Sequence, residues 1–144
     1  MNRINLICLG VRDMASSLSF YRSIGFQTME REAQPPIVFF DNEGSKLELF
    51  PLADLAKDIN AANPPERAGQ SFPGITLACN FKDKAAVDNV FRLVKQNGGA
   101  IAKEPAMTDW GGYSGYFQDL DGYYWEAAYG PDWEFDEQNM LVIP

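Results

Sequence analysis

The fold is decided by a stretch that the chain carries twice: FFDNEGSKLE at residues 39–48 and FQDLDGYYWE at residues 117–126. In each copy an aromatic strand runs into an Asp-x-acid-Gly turn, and a glutamate follows the glycine by four residues. Because glycine supplies the positive φ that a tight turn needs, each copy is predicted to be a β-hairpin. The two copies align without gaps, so Glu48 and Glu126 are expected to occupy equivalent positions.

The repeat extends upstream of the hairpins. Residues 6–13 match residues 76–83, and in both an alternating strand ends at an aspartate, Asp13 or Asp83, that can cap a helix. The first helix is predicted to run to about Ile24, and the second to stop at Asn97-Gly98-Gly99. Three strands should follow each helix, near 26–32, 36–41 and 46–51 in the first copy and near 100–104, 114–119 and 123–129 in the second.

Two βαβββ repeat units therefore account for the chain, and the predicted fold class is α+β. We predict one domain over 1–144 with units 1–51 and 74–130, a crossover 52–73 that begins with a short helix, and a C-terminal tail 131–144. Each unit would form a four-stranded sheet with helices against one face. Together the sheets would make a curved mixed sheet around a concave cleft.

Composition excludes several classes of function. The 144 residues carry a formal charge of −8 without any cluster of Lys and Arg, which opposes nucleic-acid binding. No run reaches the roughly 18 apolar residues of a membrane helix. The absence of histidine excludes Ser-His-Asp and Cys-His nucleophile systems and every metal site that uses histidine.

Two cysteines bear on the compartment. Cys8 and Cys79 lie inside strand-like runs and lack metal-type spacing, as expected of buried thiols in a reducing environment. The start of the chain reads as a first strand and not as an export signal. A cytoplasmic location is therefore expected.

Two stretches resemble a known family. LGVRD at residues 9–13 with SLSFYRSIGF at 17–26, and GYSGYFQDLDGYYWEAAY at 112–129, look like the strand-helix entry and the final hairpin of the vicinal-oxygen-chelate superfamily. That superfamily includes lactoylglutathione lyases, fosfomycin- and bleomycin-resistance proteins and extradiol dioxygenases. The resemblance implies the glyoxalase and bleomycin-resistance fold over nearly the whole chain, but it fixes no activity, because one fold hosts many.

The resemblance also implies where a metal would be held. Family members use one ligand from the first strand and one from the last strand of each unit, which fall on Leu6, Glu48, Thr76 and Glu126, or on Ile75 for Thr76 if the alignment slips by one. Leucine cannot ligate a metal and a threonine hydroxyl is a poor ligand for transition metals, so no tightly bound cofactor is expected. A weak Mg²⁺ or Mn²⁺ site on Glu48, Glu126 and waters stays open.

The paired carboxylates Glu48 and Glu126 are the candidate catalytic groups. Two close carboxylates resist double ionisation, which can hold one protonated for acid catalysis, or they can anchor a cationic ligand. The alternative is that they are former ligand positions now bonded to a neighbour such as Lys46 or to water.

Aromatic residues are dense after residue 109, and such walls stack planar or cationic ligands. Trp110 and Tyr113 on a glycine-rich loop, and Trp133 after Gly130-Pro131, are predicted to lie at the mouth of the cleft. The other predicted ligand-contacting residues are Leu6, Cys8, Phe50, Thr76, Ala78 and Tyr124. The acidic segment 132–137 either steers a basic ligand or is a solvated end.

Three hypotheses follow for function. The first is a small-molecule-binding protein that encloses a planar or partly cationic compound without a tightly bound metal, as resemblance to bleomycin-resistance proteins implies. The second is a glyoxalase-like lyase or isomerase with Glu48 or Glu126 as general base. The third is a partner or regulatory subunit. A homodimer is expected from the family resemblance and from sheet edges that need cover.

Overall fold

The computed structural model describes residues 2–67, 69 and 71–143, and the chain divides into two compact units, Met1–Phe72 and Pro73–Pro144. Unit 1 contains β1 (Leu6–Val11), α1 (Met14–Ser23), β2 (Val38–Phe39), β3 (Lys46–Pro51) and α2 (Leu52–Ile59). Unit 2 contains β4 (Leu77–Phe81), α3 (Lys84–Gln96), β5 (Ala100–Met107), β6 (Tyr113–Gln118) and β7 (Tyr124–Tyr129). The predicted α+β class is confirmed. Within the described ranges, no helix combines the length and hydropathy of a membrane span.

Both long helices begin where the sequence predicts. The carboxylate of Asp13 accepts a hydrogen bond from the Ser16 amide at 2.8 Å, and that of Asp83 accepts one from Ala86, also at 2.8 Å. Each aspartate thereby satisfies an amide that the first helical turn leaves unpaired.

The two sheets share a mixed topology. In unit 1 the strand order is β1-β3-β2, with β1 parallel and β2 antiparallel to β3. In unit 2 the order is β4-β7-β6-β5, with β4 parallel and β6 antiparallel to β7. The first strand of each unit therefore lies beside its last strand, as a βαβββ repeat requires.

The predicted strand at 26–32 is wrong, and the sheet of unit 1 has three strands among the described residues. The carboxylate of Glu30 accepts hydrogen bonds from the amides of Arg31 and Glu32, which turns the backbone locally. Beside β2, the Thr28 hydroxyl donates to the Phe39 carbonyl at 2.7 Å. A side-chain hydrogen bond thus stands where a backbone hydrogen bond between strands was expected. The predicted strand at 36–41 shortens to Val38–Phe39 after two prolines, which donate no backbone hydrogen bond.

Each sheet packs one face against its long helix. In unit 1 the buried residues Leu47 and Leu49 lie on the face that receives α1, where the ring of Tyr21 contacts Phe40. In unit 2, Phe91 of α3 meets Phe117 edge-on at 5.8 Å, and Phe117 stacks on Trp125 at 6.3 Å. Side chains alternate along a strand, so Glu48 and Glu126 lie on the opposite faces.

The two hairpins differ by one residue, so the gapless alignment fails upstream of the turns. Leu47 accepts a backbone hydrogen bond from Phe40, whereas its counterpart Trp125 pairs with Phe117. The structural equivalent of Phe117 is therefore Phe40, although the sequence aligns Phe117 with Phe39. Glycines with positive φ close both turns, Gly44 at 72° and Gly122 at 84°.

The two turns are stabilised by different side chains. Asn42 accepts a hydrogen bond from the Leu47 amide, and the Asp119 carboxylate accepts bonds from the amides of Asp121 and Tyr123. Asp41, which the repeat aligns with Asp119, pairs instead on the surface with Lys46.

The C-terminal tail is folded where it is described. Phe135 and Leu141 form an isolated antiparallel bridge, and the Asp136 carboxylate accepts hydrogen bonds from the amides of Gln138 and Met140. Lys82 holds the tail by donating to the Asn139 side chain at 2.6 Å, and its ammonium lies 5.6 Å from the Phe135 ring centroid. The acidic segment 132–137 therefore has an ordered backbone, while its acidic side chains are exposed to solvent, as expected of a solvated end.

Candidate functional site

Each sheet turns one carboxylate away from its long helix. We call these surfaces the Glu48 face, formed by Leu6, Cys8, Gly10, Phe39, Lys46, Glu48 and Phe50, and the Glu126 face, formed by Ala78, Ser114, Tyr116, Tyr124, Glu126 and Ala128. Cys8 lies beside Glu48 in the parallel register of unit 1, and Ala78 lies beside Glu126 in that of unit 2. The two glutamates therefore occupy equivalent places next to the first strand of their unit.

Glu48 is a buried carboxylate with apolar neighbours. Its side chain is 6% exposed, and the cross-strand residue on its other side is Phe39. The Cys8 thiol donates a hydrogen bond to it, and burial together with the negative charge of Glu48 raises the pKa of Cys8 to about 11. Lys46, which the sequence offers as a partner, instead donates to Asp41 at 3.1 Å and to the carbonyl of Asn42 at 2.5 Å.

Glu126 is half-buried and has a different donor. Tyr116 stands directly across the strand pair and donates its phenolic hydroxyl to the carboxylate. Burial and this hydrogen bond raise the pKa of Tyr116 above its ordinary value. A carboxylate that shares a proton-bearing partner can accept a proton from a bound molecule while the tyrosine holds it in place.

A pair of indoles covers the end of the Glu126 face. Trp110 and Trp133 stack with centroids 5.6 Å apart and planes 20° apart. A Cβ built on Gly112 would lie 1.8 Å from the Trp110 ring, and one built on Gly130 would lie 2.6 Å from the Trp133 ring. These glycines are the next residues beyond the Tyr113–Tyr129 pair, so by alternation both rings lie on the side of Glu126.

Small residues separate the indoles from the carboxylate. The cross-strand pair Ser114 and Ala128 lies between the Tyr116–Glu126 pair and the two glycines, and both residues are buried. Gly130 follows Glu126 by four positions along the chain, a distance of roughly 14 Å at 3.4 Å per residue. The Glu126 face thus carries a carboxylate and, beyond a covered pair of small residues, a stacked pair of indoles.

Helix α2 covers the corresponding end of the Glu48 face. A Cβ on Gly10 would lie 2.7 Å from the Leu52 side chain and 3.2 Å from that of Leu55. Gly10 shares its face with Cys8, so α2 packs on the side of Glu48 and away from α1. Only glycine admits the helix at this distance without a shift.

The structure brings most of the predicted site residues into these two groups. Leu6, Cys8, Glu48 and Phe50 share the Glu48 face, while Ala78, Tyr124 and Glu126 share the Glu126 face, with Thr76 just before β4 and Trp110 stacked on Trp133. Tyr113, predicted at the mouth of the cleft, lies elsewhere. Its hydroxyl donates to Asp88 of α3 at 2.8 Å, so it lies on the helix side of the sheet, and that hydrogen bond raises its pKa.

The residues present do not fit a tightly held metal. In the region the structure describes, no three His, Cys, Asp or Glu side chains gather as a metal-binding group. The first-strand positions carry the hydrocarbon side chain of Leu6 and the neutral hydroxyl of Thr76. A metal ion bound to either glutamate would therefore lack a strong ligand from the first-strand position of that unit.

Sequence reasoning missed two residues of these faces, Tyr116 and Phe39. The gapless alignment places Phe39 with Phe117 and therefore on the helix side. The signal that identifies both is cross-strand pairing with the glutamates, which depends on the length of each turn.

Comparison with known proteins agrees with this architecture. Residues 3–127 match the model of the Glyoxalase/Bleomycin resistance protein/Dioxygenase superfamily. A glyoxalase-related enzyme from Fulvimarina pelagi is similar in structure with a TM-score of 0.84 and 24% identity, covering 99% of each chain. No curated protein sequence matches significantly.

Two further solved structures share the fold. A glyoxalase/bleomycin resistance protein/dioxygenase family enzyme from Burkholderia phytofirmans PsJN has a TM-score of 0.73 and 21% identity over 87% of this chain and 96% of its own. A lactoylglutathione lyase from Agrobacterium tumefaciens has a TM-score of 0.64 and 24% identity over 94% of this chain and 98% of its own.

Proposed function

This chain belongs to the Glyoxalase/Bleomycin resistance protein/Dioxygenase superfamily, and on that basis we propose that it binds a small planar or partly cationic molecule without a tightly bound metal. The binding would resemble the sequestration that the name of bleomycin-resistance proteins implies. One observation carries the proposal: the stacked pair Trp110 and Trp133 lies on the same sheet face as Glu126.

The shape of the Glu126 face supports this choice. Trp110 is 55% exposed, so one side of the stack is open to a planar ring. Indole faces hold flat and cationic groups well. The Glu126 carboxylate supplies an acceptor for a donor group of the same ligand.

Tryptophan fluorescence tests the proposal. The chain has three tryptophans, and Trp125 is buried on the helix side, so the double variant Trp110→Ala/Trp133→Ala retains one internal reporter of the folded sheet. The parent protein should show saturable quenching by planar compounds, bleomycin among them, and each single variant should bind at least about tenfold more weakly. Affinity indifferent to both substitutions would contradict the proposal.

The second candidate is a glyoxalase-like lyase or isomerase reaction, with a weak divalent metal as an option. The hydrogen bond from Tyr116 to Glu126 favours it, because it holds a half-buried carboxylate in position to accept a proton. Loss of turnover in Glu126→Gln with binding intact would establish catalysis. Stoichiometric zinc, nickel or iron in protein prepared without chelator would contradict the metal-free proposal.

Two further properties are proposed with the function. A cytoplasmic location is supported by the free thiols Cys8 and Cys79. A homodimer is supported by the edge positions of β1 and β4 in their sheets. Sedimentation at micromolar concentration tests the dimer, and a monomer there would contradict it.

A further inference from the structure

The Glu48 carboxylate has acceptor capacity that its surroundings leave unused. A carboxylate offers about four acceptor sites, and a thiol is a weak donor. Among the described residues, the Cys8 thiol donates a hydrogen bond to this carboxylate. The Lys46 ammonium instead donates to Asp41 and to the carbonyl of Asn42. The remaining acceptor sites of this carboxylate are therefore available to a bound group with N–H donors.

The neighbours of Glu48 select the kind of group. Phe39 stands directly across from Glu48 and is 52% exposed, and Leu6, two residues before Cys8, is 42% exposed. Cross-strand partners have Cβ atoms about 5 Å apart, so a cation that touches the carboxylate also reaches the Phe39 ring. At the other end, Leu52 and Leu55 close the face over Gly10, so the rest of a ligand must extend past Leu6 and Phe39.

We propose that the Glu48 face binds a protonated primary or secondary amine that carries an apolar or aromatic group. Glu48 accepts the N–H donors, Phe39 contacts the cation, and Leu6 contacts the apolar group. The inference rests on the proposed function only in taking the ligand to be partly cationic. A metal ion fits this face poorly, because among the described residues Cys8 and Glu48 gather with no third His, Cys, Asp or Glu side chain.

Three related probes separate the contributions. Benzylammonium presents three N–H donors, benzyltrimethylammonium has the charge without a donor, and benzyl alcohol is neutral. Calorimetric titration of the full chain should give saturable binding of benzylammonium, with the other two at least about tenfold weaker, because hydrogen bonds to a charged group carry most of the affinity. Equal binding of benzyl alcohol, or no saturable binding of benzylammonium, would overturn the proposal.

Matched variants assign the site. In the Trp110→Ala/Trp133→Ala background, which lacks the stacked indoles of the Glu126 face, Glu48→Gln should weaken benzylammonium binding at least about tenfold, while Glu126→Gln, the same change at the equivalent position of unit 2, should stay within about twofold. Phe39→Leu keeps an apolar group but removes the ring, and a loss of about two- to fivefold is expected. This variant keeps the proposal testable if Glu48→Gln does not fold.

One further variant separates this proposal from the previous one. Trp110→Ala/Trp133→Ala should retain saturable binding of benzylammonium at the Glu48 face, so failure of the tryptophan titration leaves the Glu48 result unaffected. Loss of benzylammonium binding in Glu126→Gln with retention in Glu48→Gln would overturn the assignment to the Glu48 face.

Discussion

The two units share a backbone plan, and in both the glutamate lies next to the first strand. They differ in the side chains that neighbour that glutamate. In unit 1 the donor comes from the first strand, as the Cys8 thiol, and the opposite neighbour is Phe39. In unit 2 the first strand offers only Ala78, and the donor comes from the opposite side, as the Tyr116 hydroxyl. A duplicated fold therefore yields two different chemical surfaces, because single side chains at equivalent positions differ.

The covers of the two faces also differ. After β3 the chain forms α2, whose leucines lie over Gly10, whereas after β7 it turns at Gly130 and lays Trp133 over that glycine. In both cases a glycine on the carboxylate face admits the covering group. The cover is aliphatic in unit 1 and aromatic in unit 2, which is why we propose stacking only for the Glu126 face.

The largest expected effect separates helix faces from carboxylate faces. Phe91→Ala removes a ring that is 2% exposed between α3 and the sheet, and should lower the free energy of unfolding by about 3 to 5 kcal/mol. Phe39→Ala, the matched change on the Glu48 face, should cost about 1 kcal/mol or less because that ring is half-exposed. Urea denaturation measures both, and equal losses would contradict the assignment of faces.

A smaller effect tests the cover of unit 1. Gly10→Val inserts methyl groups against α2 and should cost about 1 to 3 kcal/mol through overpacking. Asn80→Val, at the equivalent position of β4, should change the free energy of unfolding by less than about 0.5 kcal/mol. If both variants are equally stable, α2 does not rest on Gly10.

The smallest effect concerns the Cys79 thiol at alkaline pH. Burial alone raises the pKa of Cys79 to about 11, from an ordinary value of 9.0. The unfolded chain therefore loses this proton first, so the free energy of unfolding should fall as pH rises from 9 towards 11, by roughly 1 kcal/mol at about pH 10. Denaturation of parent and Cys79→Ala over this range checks it, and identical pH slopes would contradict the raised pKa of Cys79.

Much of the fold could be predicted because local rules agree with the tertiary structure. Asp13 and Asp83 cap helices in the sequence pattern and in the structure, and the glycines of both turns adopt the positive φ that the hairpins require. The alternation around Glu48 and Glu126 also placed both carboxylates opposite the helix-packed residues.

The hairpin register could not be predicted, because Phe39 and Phe40 are adjacent aromatic residues. Either can be the buried one, so hydrophobic alternation does not choose between two registers that differ by one residue. The strand expected at 26–32 fails for a related reason, since the Glu30 side chain bonds its own backbone and periodicity carries no sign of this. Tyr113 was misplaced because a loop residue was read without knowledge of which strand face it would join.

The most direct test of the two-face account is the titration of Cys8. In a Cys79→Ala background the chain has a single thiol, and the pH dependence of its alkylation rate gives the pKa without interference from the six tyrosines. The account predicts a pKa near 11, a clear decrease in Glu48→Gln as the negative charge is removed, and no change in Glu126→Gln. A value that stays the same when Glu48 is replaced would mean that this carboxylate does not lie beside the first strand, and the account would be wrong.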